Sequence, residues 1–374
     1  MSLSGSIIRL MTFNWPSSRQ KTVTLFRFAH ALSKPKVEPY IENTSTIQRL
    51  PYTEALKEKE IQIAVCGQLY HKWRKERRYW SVPKGDVEFK VKYIDTGHQE
   101  RPRSESPIVV ALHGSPGSYK NFDAIISHLY RLGVRVISPI LPTLDVKNPT
   151  RFRHTPEEKS EYVKGFLKAL RVPSVDLLMC HSSGLFPGLL LCAEDKEIPA
   201  NSLCLLNPTT FDEPRVMKPY WLTHSLIRIY EFPVGHQITT FLAKRMIQKR
   251  QLKEGNFGEH FLGSLTMCHS SVPKQAVHFK NLLDRNFPIM LAFSENDKLI
   301  AKASSYRMAK MMMDENDVQR YDKDGKLDRA GGTNPFRKAI AFENGSHYIF
   351  KKYPDIISEA IATFLFQHFD NHMH

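Results

Sequence analysis

The run Ser174-Val175-Asp176-Leu177-Leu178-Met179-Cys180-His181-Ser182-Ser183-Gly184 constrains this chain more than any other stretch. An apolar segment of strand length stops at a cluster of small residues, and Leu185 to Ala193 continues as a buried helix would. A serine at such a break, here Ser182, takes a strained backbone that lifts its hydroxyl clear of the sheet, and only small side chains fit two positions to either side. Those positions hold Cys180 and Gly184, where the usual Gly-x-Ser-x-Gly has two glycines. A thiol is small enough for the turn but crowds it more than a hydrogen does.

Met267-Cys268-His269-Ser270-Ser271 repeats Met179 to Ser183 letter for letter. The second copy lacks both a preceding apolar strand and the glycine, having Val272-Pro273 where the first has Gly184, so Ser182 is preferred to Ser270 as a nucleophile.

The rest of the chain supplies strands and helices in alternation. Val87 to Asp95 alternates as a half-buried strand, and Ile108 to Leu112 reads as a strand buried on both faces that ends in His113-Gly114-Ser115-Pro116-Gly117. Further strands are expected at Val134 to Pro139, Ser202 to Asn207, Pro288 to Phe293 and Lys338 to Phe342, with helices at Phe122 to Arg131, Glu157 to Leu170 and Pro354 to Phe366. The class is α/β: a mostly parallel sheet flanked by helices. Residues 210–286 interrupt the alternation and are expected to form an inserted helical cap over the carboxyl ends of the strands, where ligands bind in such sheets.

A serine hydroxyl needs a base, an acid to orient that base, and donors for the developing oxyanion. His347, in Asn344-Gly345-Ser346-His347 after the last strand, is the candidate base. Asp297, in Ser294-Glu295-Asn296-Asp297 after the strand before it, is the candidate acid, with Glu295 and Asp212 as alternatives. The backbone N–H groups of Ser115 and Ser183 are the candidate oxyanion donors, both expected to face the Ser182 oxygen. Together HGSPGS, CHSSG, SEND and NGSH resemble the α/β-hydrolase superfamily from about Val87 to the C-terminus. That resemblance implies a serine hydrolase with Ser182, Asp297 and His347 as its triad, acting on an ester, thioester or similar acyl bond. Ile140-Leu141-Pro142-Thr143 departs from the family's Asp-x-Pro-Gly-like turn. A catalytically silent member serving as a binding or scaffolding protein is the alternative, since fold alone does not establish activity.

The chain has 53 basic and 38 acidic residues, a net charge of +15. Such a balance allows attraction to nucleic acid, anionic lipid or acidic substrates without choosing among them. The expected partner is a small acyl substrate rather than nucleic acid, with peripheral contact to an anionic membrane left open. In the cap, Tyr220, Trp221, Phe232, Phe241, Phe257 and Phe261 suggest an apolar acyl group, and Lys218, Arg228, Lys244, Arg245, Lys249 and Arg250 an anionic head group, although core packing beneath and solvated charge outside are expected for most of them. No cofactor or metal is required by the mechanism. Five cysteines, odd in number and widely spaced, argue for free thiols.

Residues 1–37 contain basic residues and serines but no Asp or Glu, the composition of a mitochondrial transit peptide or of a disordered basic arm. The expected location is mitochondrial, otherwise cytoplasmic. Residues 38–86 are expected to form a helical extension, with a helix from Glu54 to Leu69 and a basic, aromatic cluster from His71 to Trp80, its aromatics folded onto the core.

Overall fold

The computed structural model describes residues 52–369 except 80, 98–105, 146–149, 213–216, 233, 240, 242–244 and 246–253. The basic segment 1–37 lies outside the described residues.

One sheet organises the fold. Its strands are β1 (Lys59–Val65), β2 (Val87–Asp95), β3 (Ile108–Leu112), β4 (Arg135–Pro139), β5 (Leu177–His181), β6 (Leu203–Leu206), β7 (Ile289–Ser294), β8 (Gln319–Tyr321), β9 (Leu327–Arg329) and β10 (Arg337–Phe342). Their spatial order is β1-β2-β4-β3-β5-β6-β7-β10-β8-β9. From β4 to β8 in that order every pairing is parallel; β1, β2 and β9 are antiparallel to their neighbours. The helices are α1 (Tyr52–Ala55), α2 (Gly67–Lys75), α3 (Asp123–Arg131), α4 (Pro156–Ala169), α5 (Leu185–Glu194), α6 (Tyr220–Tyr230), α7 (Glu254–His269), α8 (Val272–Asp284), α9 (Lys302–Met312), α10 (Ile349–Lys352) and α11 (Pro354–Phe369).

β3, β5, β6 and β7 are buried along their whole length, and β3 and β6 are apolar at every position, because both faces of the sheet are covered. Val110, Leu112, Leu178, Cys180, Leu203, Leu205, Leu291 and Phe293 meet α4, α5, α8 and α9 on one face. Val109, Ala111, Leu177, Met179, Cys204, Leu206 and Met290 meet α3, α10 and α11 on the other. The helix before the central strand starts sharply. Thr155 caps α4, its hydroxyl accepting from Glu158 N–H while the Glu158 carboxylate accepts from Thr155 N–H, and Pro156 takes the first helical position.

Two boundaries differ from the sequence reading. The helix expected from Glu54 to Leu69, and the helical extension 38–86 that contained it, give way to strand β1, which pairs along its whole length with β2. The reason is the alternation of Ile61, Ile63 and Val65 with Glu60, Gln62 and Ala64. It matches the two-residue period of the pleat, and Lys90–Glu60 and Lys92–Glu58 ion pairs support the register from the solvent side. The sheet therefore begins at Lys59 rather than Val87. In the following helix α2, Tyr70 and Trp73 are buried, and Arg78 lies 4.6 Å over the Trp73 ring while pairing with Glu157. At the other boundary α8, assigned to the cap on sequence, packs on α5 with Phe279 and Leu282 in the sheet's own core. The cap therefore ends near Ser271, and α8 is the flanking helix that feeds β7.

Candidate active site

Ser182 leaves β5 with φ of 52°, in the left-handed region that strains an L side chain, and opens a short turn, Ser182–Gly184, into α5. Three neighbours hold that backbone. Thr209 donates both its N–H and its hydroxyl to the Ser182 carbonyl at 3.2 Å. A Cβ on Gly184 would lie 2.6 Å from the Leu112 carbonyl oxygen, so no side chain fits there. A Cβ on Gly114 would lie 2.7 Å from the Ser182 Cβ, so the loop after β3 passes directly against the serine. Cys180 turns its thiol to the α5 face, where Gly188 stands opposite: a Cβ on Gly188 would come within 2.4 Å of Sγ. The glycine missing from the strand has a counterpart in the helix.

The loops after β7 and β10 complete a hydrogen-bonded chain with this serine. His347 Nε2 is 2.9 Å from Ser182 Oγ, and His347 Nδ1 is 2.7 Å from Asp297 Oδ2. With Nδ1 protonated toward the carboxylate, Nε2 is left as the acceptor for the serine proton. Asp297 and His347 are buried and Ser182 is partly exposed, so the oxygen is the reachable end. Asn207 Nδ2 also donates to Asp297 Oδ2 at 3.0 Å, and the N–H groups of Leu299 and Ile300 donate to Oδ1 at 2.8 and 3.1 Å. Burial pushes the Asp297 pKa up, but His347 and these N–H donors outweigh it and hold the carboxyl below its ordinary range.

The β3 loop is fixed by His113, whose Nδ1 donates to the Gly114 carbonyl at 2.7 Å while Nε2 accepts from Leu141 N–H at 2.9 Å. Burial, opposed by the Gly114 bond and reinforced by Lys159, brings this imidazole down to about 4, so it stays neutral. The departing segment Ile140 to Thr143 is thus tied to the loop beside the serine. The N–H of Ser115, expected to face the Ser182 oxygen, donates instead to Oγ of Ser183 at 2.9 Å. A half-buried N–H takes the nearest acceptor, and the second serine of the turn offers one. Beyond it Lys159 on α4, 1% exposed, reaches Ser115 Oγ at 3.3 Å and Thr266 Oγ1 on α7 at 2.8 Å. Burial lowers the lysine to about 7.

The alternatives considered for the acid lie elsewhere. Burial pushes Glu295 up, but hydrogen bonds from Arg320, Lys302 and Tyr306 bring it down to about 2, which makes it the hub of an ion cluster. Asp212 pairs with Arg307. Ser270 is fully buried with its hydroxyl on the Met267 carbonyl at 2.7 Å.

Supporting residues not singled out in the sequence include Asn207, Asn296 and His181. Asn296 Oδ1 accepts from the N–H groups of Gly345 and Ser346 at 3.0 and 3.1 Å, which sets the loop that carries His347. His181 Nε2 donates to the His347 carbonyl at 3.0 Å; burial, then the neighbouring His347, holds His181 down to about 3. A signal for Asn207 existed, since it ends a buried strand beside the elbow strand; for the other two there was only adjacency to Ser182 and Asp297.

Cap helix α7 packs over the elbow turn, and Gly263 lets it approach to where a Cβ would stand 3.1 Å from the Ser115 carbonyl oxygen. The cap aromatics divide. Phe261 packs on Tyr230 with centroids 4.5 Å apart, whereas Trp221, Phe232 and Phe241 are 72%, 53% and 61% exposed and point away from the interior.

A parallel sheet in this order, a strained serine at the strand-to-helix turn, and acid and histidine loops in that chain order define an α/β hydrolase. The chain belongs to the family described as alpha/beta hydrolase of unknown function (DUF1057), whose model matches residues 76–366. Among solved structures it is similar to an enol-lactonase from Burkholderia xenovorans LB400, with 11% identity, 74% of this chain and 96% of that one covered, and a TM-score of 0.50. A thermophilic esterase from Thermogutta terrifontis shows 15% identity over 83% of this chain and 99% of its own, with a TM-score of 0.51. At these identities the likeness is one of fold. No curated protein matches the sequence.

Proposed function

We propose that the protein is a serine hydrolase that cleaves an ester, thioester or similar acyl bond through an acyl-enzyme on Ser182. The observation that carries this reading is the chain Ser182–His347–Asp297, with steps of 2.9 and 2.7 Å, assembled from loops that follow three different strands. Ser182 Oγ attacks the acyl carbon as its proton passes to His347 Nε2, and Asp297 holds the imidazole in the required tautomer and stabilises the imidazolium. The backbone N–H groups of Ser183 and Ser115 receive the oxyanion once Ser183 Oγ yields the Ser115 N–H to the more strongly accepting charge. The leaving alkoxide or thiolate takes the proton back from His347. Water, deprotonated by the same nitrogen, then releases the acid and restores the serine.

A fluorophosphonate probe tests the proposal, with the label located by peptide mass in the wild type and in Ser182→Ala and Ser270→Ala. The expected result is labelling lost only in Ser182→Ala. An unlabelled wild type, under conditions where a small unhindered probe also fails, overturns the reading in favour of a silent binding protein.

A further inference from the structure

We propose that the outer face of the cap docks the protein onto an anionic lipid surface. On α6 the side chains of Leu222, Leu226 and Ile229 follow the i, i+4, i+7 spacing of one helical stripe, and all are exposed, with Trp221 beside them 72% exposed. The stripe that faces inward, Ile227 and Tyr230, is buried. A second helical stretch, residues 234–239, turns Val234 and Ile238 outward at i and i+4, 70% and 52% exposed, and Phe241 is 61% exposed. Phe232, between the two, is exposed as well. A single exposed apolar residue is ordinary; two consecutive helical segments that both turn their apolar stripe outward form a surface that needs a partner.

Charge identifies that partner. Lys218, Arg228 and Arg245 are exposed around the apolar residues. From Met217 to Arg245 the only acid is Glu231, and it is turned inward, its Oε1 3.3 Å from Arg153 Nε and 3.0 Å from His269 Nε2. A second copy would bring the same patch against itself about a two-fold axis, so these cations would meet cations on a chain already at +15. An anionic leaflet meets both properties: the apolar residues enter the acyl boundary and the cations stay at head-group level. None of the described helices is long and apolar enough to cross a membrane. The proposal stands independently of the chemistry at Ser182.

Sedimentation of the full chain with vesicles tests it, using phosphatidylcholine alone and phosphatidylcholine with about a third phosphatidylserine. The expected result is binding to the anionic vesicles at least about tenfold tighter than to neutral ones. Trp221→Glu with Ile229→Glu lowers it tenfold or more, and Arg228→Gln lowers it about fivefold, as loss of one cation near a leaflet does. Val277→Glu, at an exposed apolar position on α8 outside the cap face, leaves it unchanged. Wild-type binding that survives the double substitution overturns the proposal and points to another basic surface. So does an absence of sedimentation, or a dimer formed without vesicles that the double substitution dissolves.

Discussion

The pair Cys180 and Gly188 offers a quantitative test of how the serine turn is accommodated. In Gly188→Ala the new methyl would sit 2.4 Å from Cys180 Sγ, over 1 Å inside ordinary contact, with the Leu178 side chain at 3.5 Å leaving no easy retreat. Overpacking of this kind costs about 1–3 kcal/mol, whereas Ala in place of Gly in a helix interior gains about 1 kcal/mol, so the single substitution should destabilise by about 1 kcal/mol. Removing the sulfur changes the sign. With Cys180→Ala in place the nearest atom of residue 180 is its Cβ, at 3.7 Å, which is normal packing. Gly188→Ala should then be neutral or stabilising by up to about 1 kcal/mol. Urea unfolding of the wild type, both single variants and the double variant gives the cycle, with an expected coupling of about 1–2 kcal/mol. Additivity within about 0.5 kcal/mol would show that the glycine in α5 does not compensate for the thiol in β5.

Two further expectations concern the buried ionisable groups. Asp297→Asn should preserve the fold but lower kcat on any ester the wild type accepts by about three to four orders of magnitude, because the amide favours the wrong His347 tautomer; steady-state kinetics with circular dichroism of the variant checks it. Lys159, unfolded near its ordinary 10.5 and folded near 7, binds fewer protons in the folded state between those values. Its burial penalty is therefore full below pH 7 and fades as pH rises toward 10.5. Relative to Lys159→Met, the wild type should gain about 2 kcal/mol between pH 7 and pH 9, close to the limiting 1.4 kcal/mol per pH unit, read from paired urea midpoints. Equal differences at the two pH values would mean that the lysine keeps its proton.

The central strands and the chain order of serine, acid and histidine were legible because their signals are local: continuous apolar runs for a sheet covered on both faces, and small residues where the backbone must turn. Strand β1 is masked in the sequence because Lys59 to Val65 lies between Glu54–Lys57 and Gly67–Tyr70, charged and amphipathic stretches that suggest one long helix. Only its pairing with β2 selects the two-residue period. The place of α8 was hidden for a similar reason, since an amphipathic helix does not say which surface it covers. Asn207 and His181 act on loops 90 and 166 residues away, at Asp297 and His347, and no local pattern marks a side chain whose partner is set by strand order. The direction of the cap aromatics was likewise unreadable, because an aromatic residue that lines a pocket and one that faces outward have the same letter.

The amine of Lys159 touches the roof of the site through Thr266 and the floor through Ser115 at the same time. A roof that lifts to admit a substrate must first give up a hydrogen bond that shares its donor with the floor. One ammonium thus ties α7 to the loop after β3, so that a displacement of either element stretches a hydrogen bond held by the donor they share.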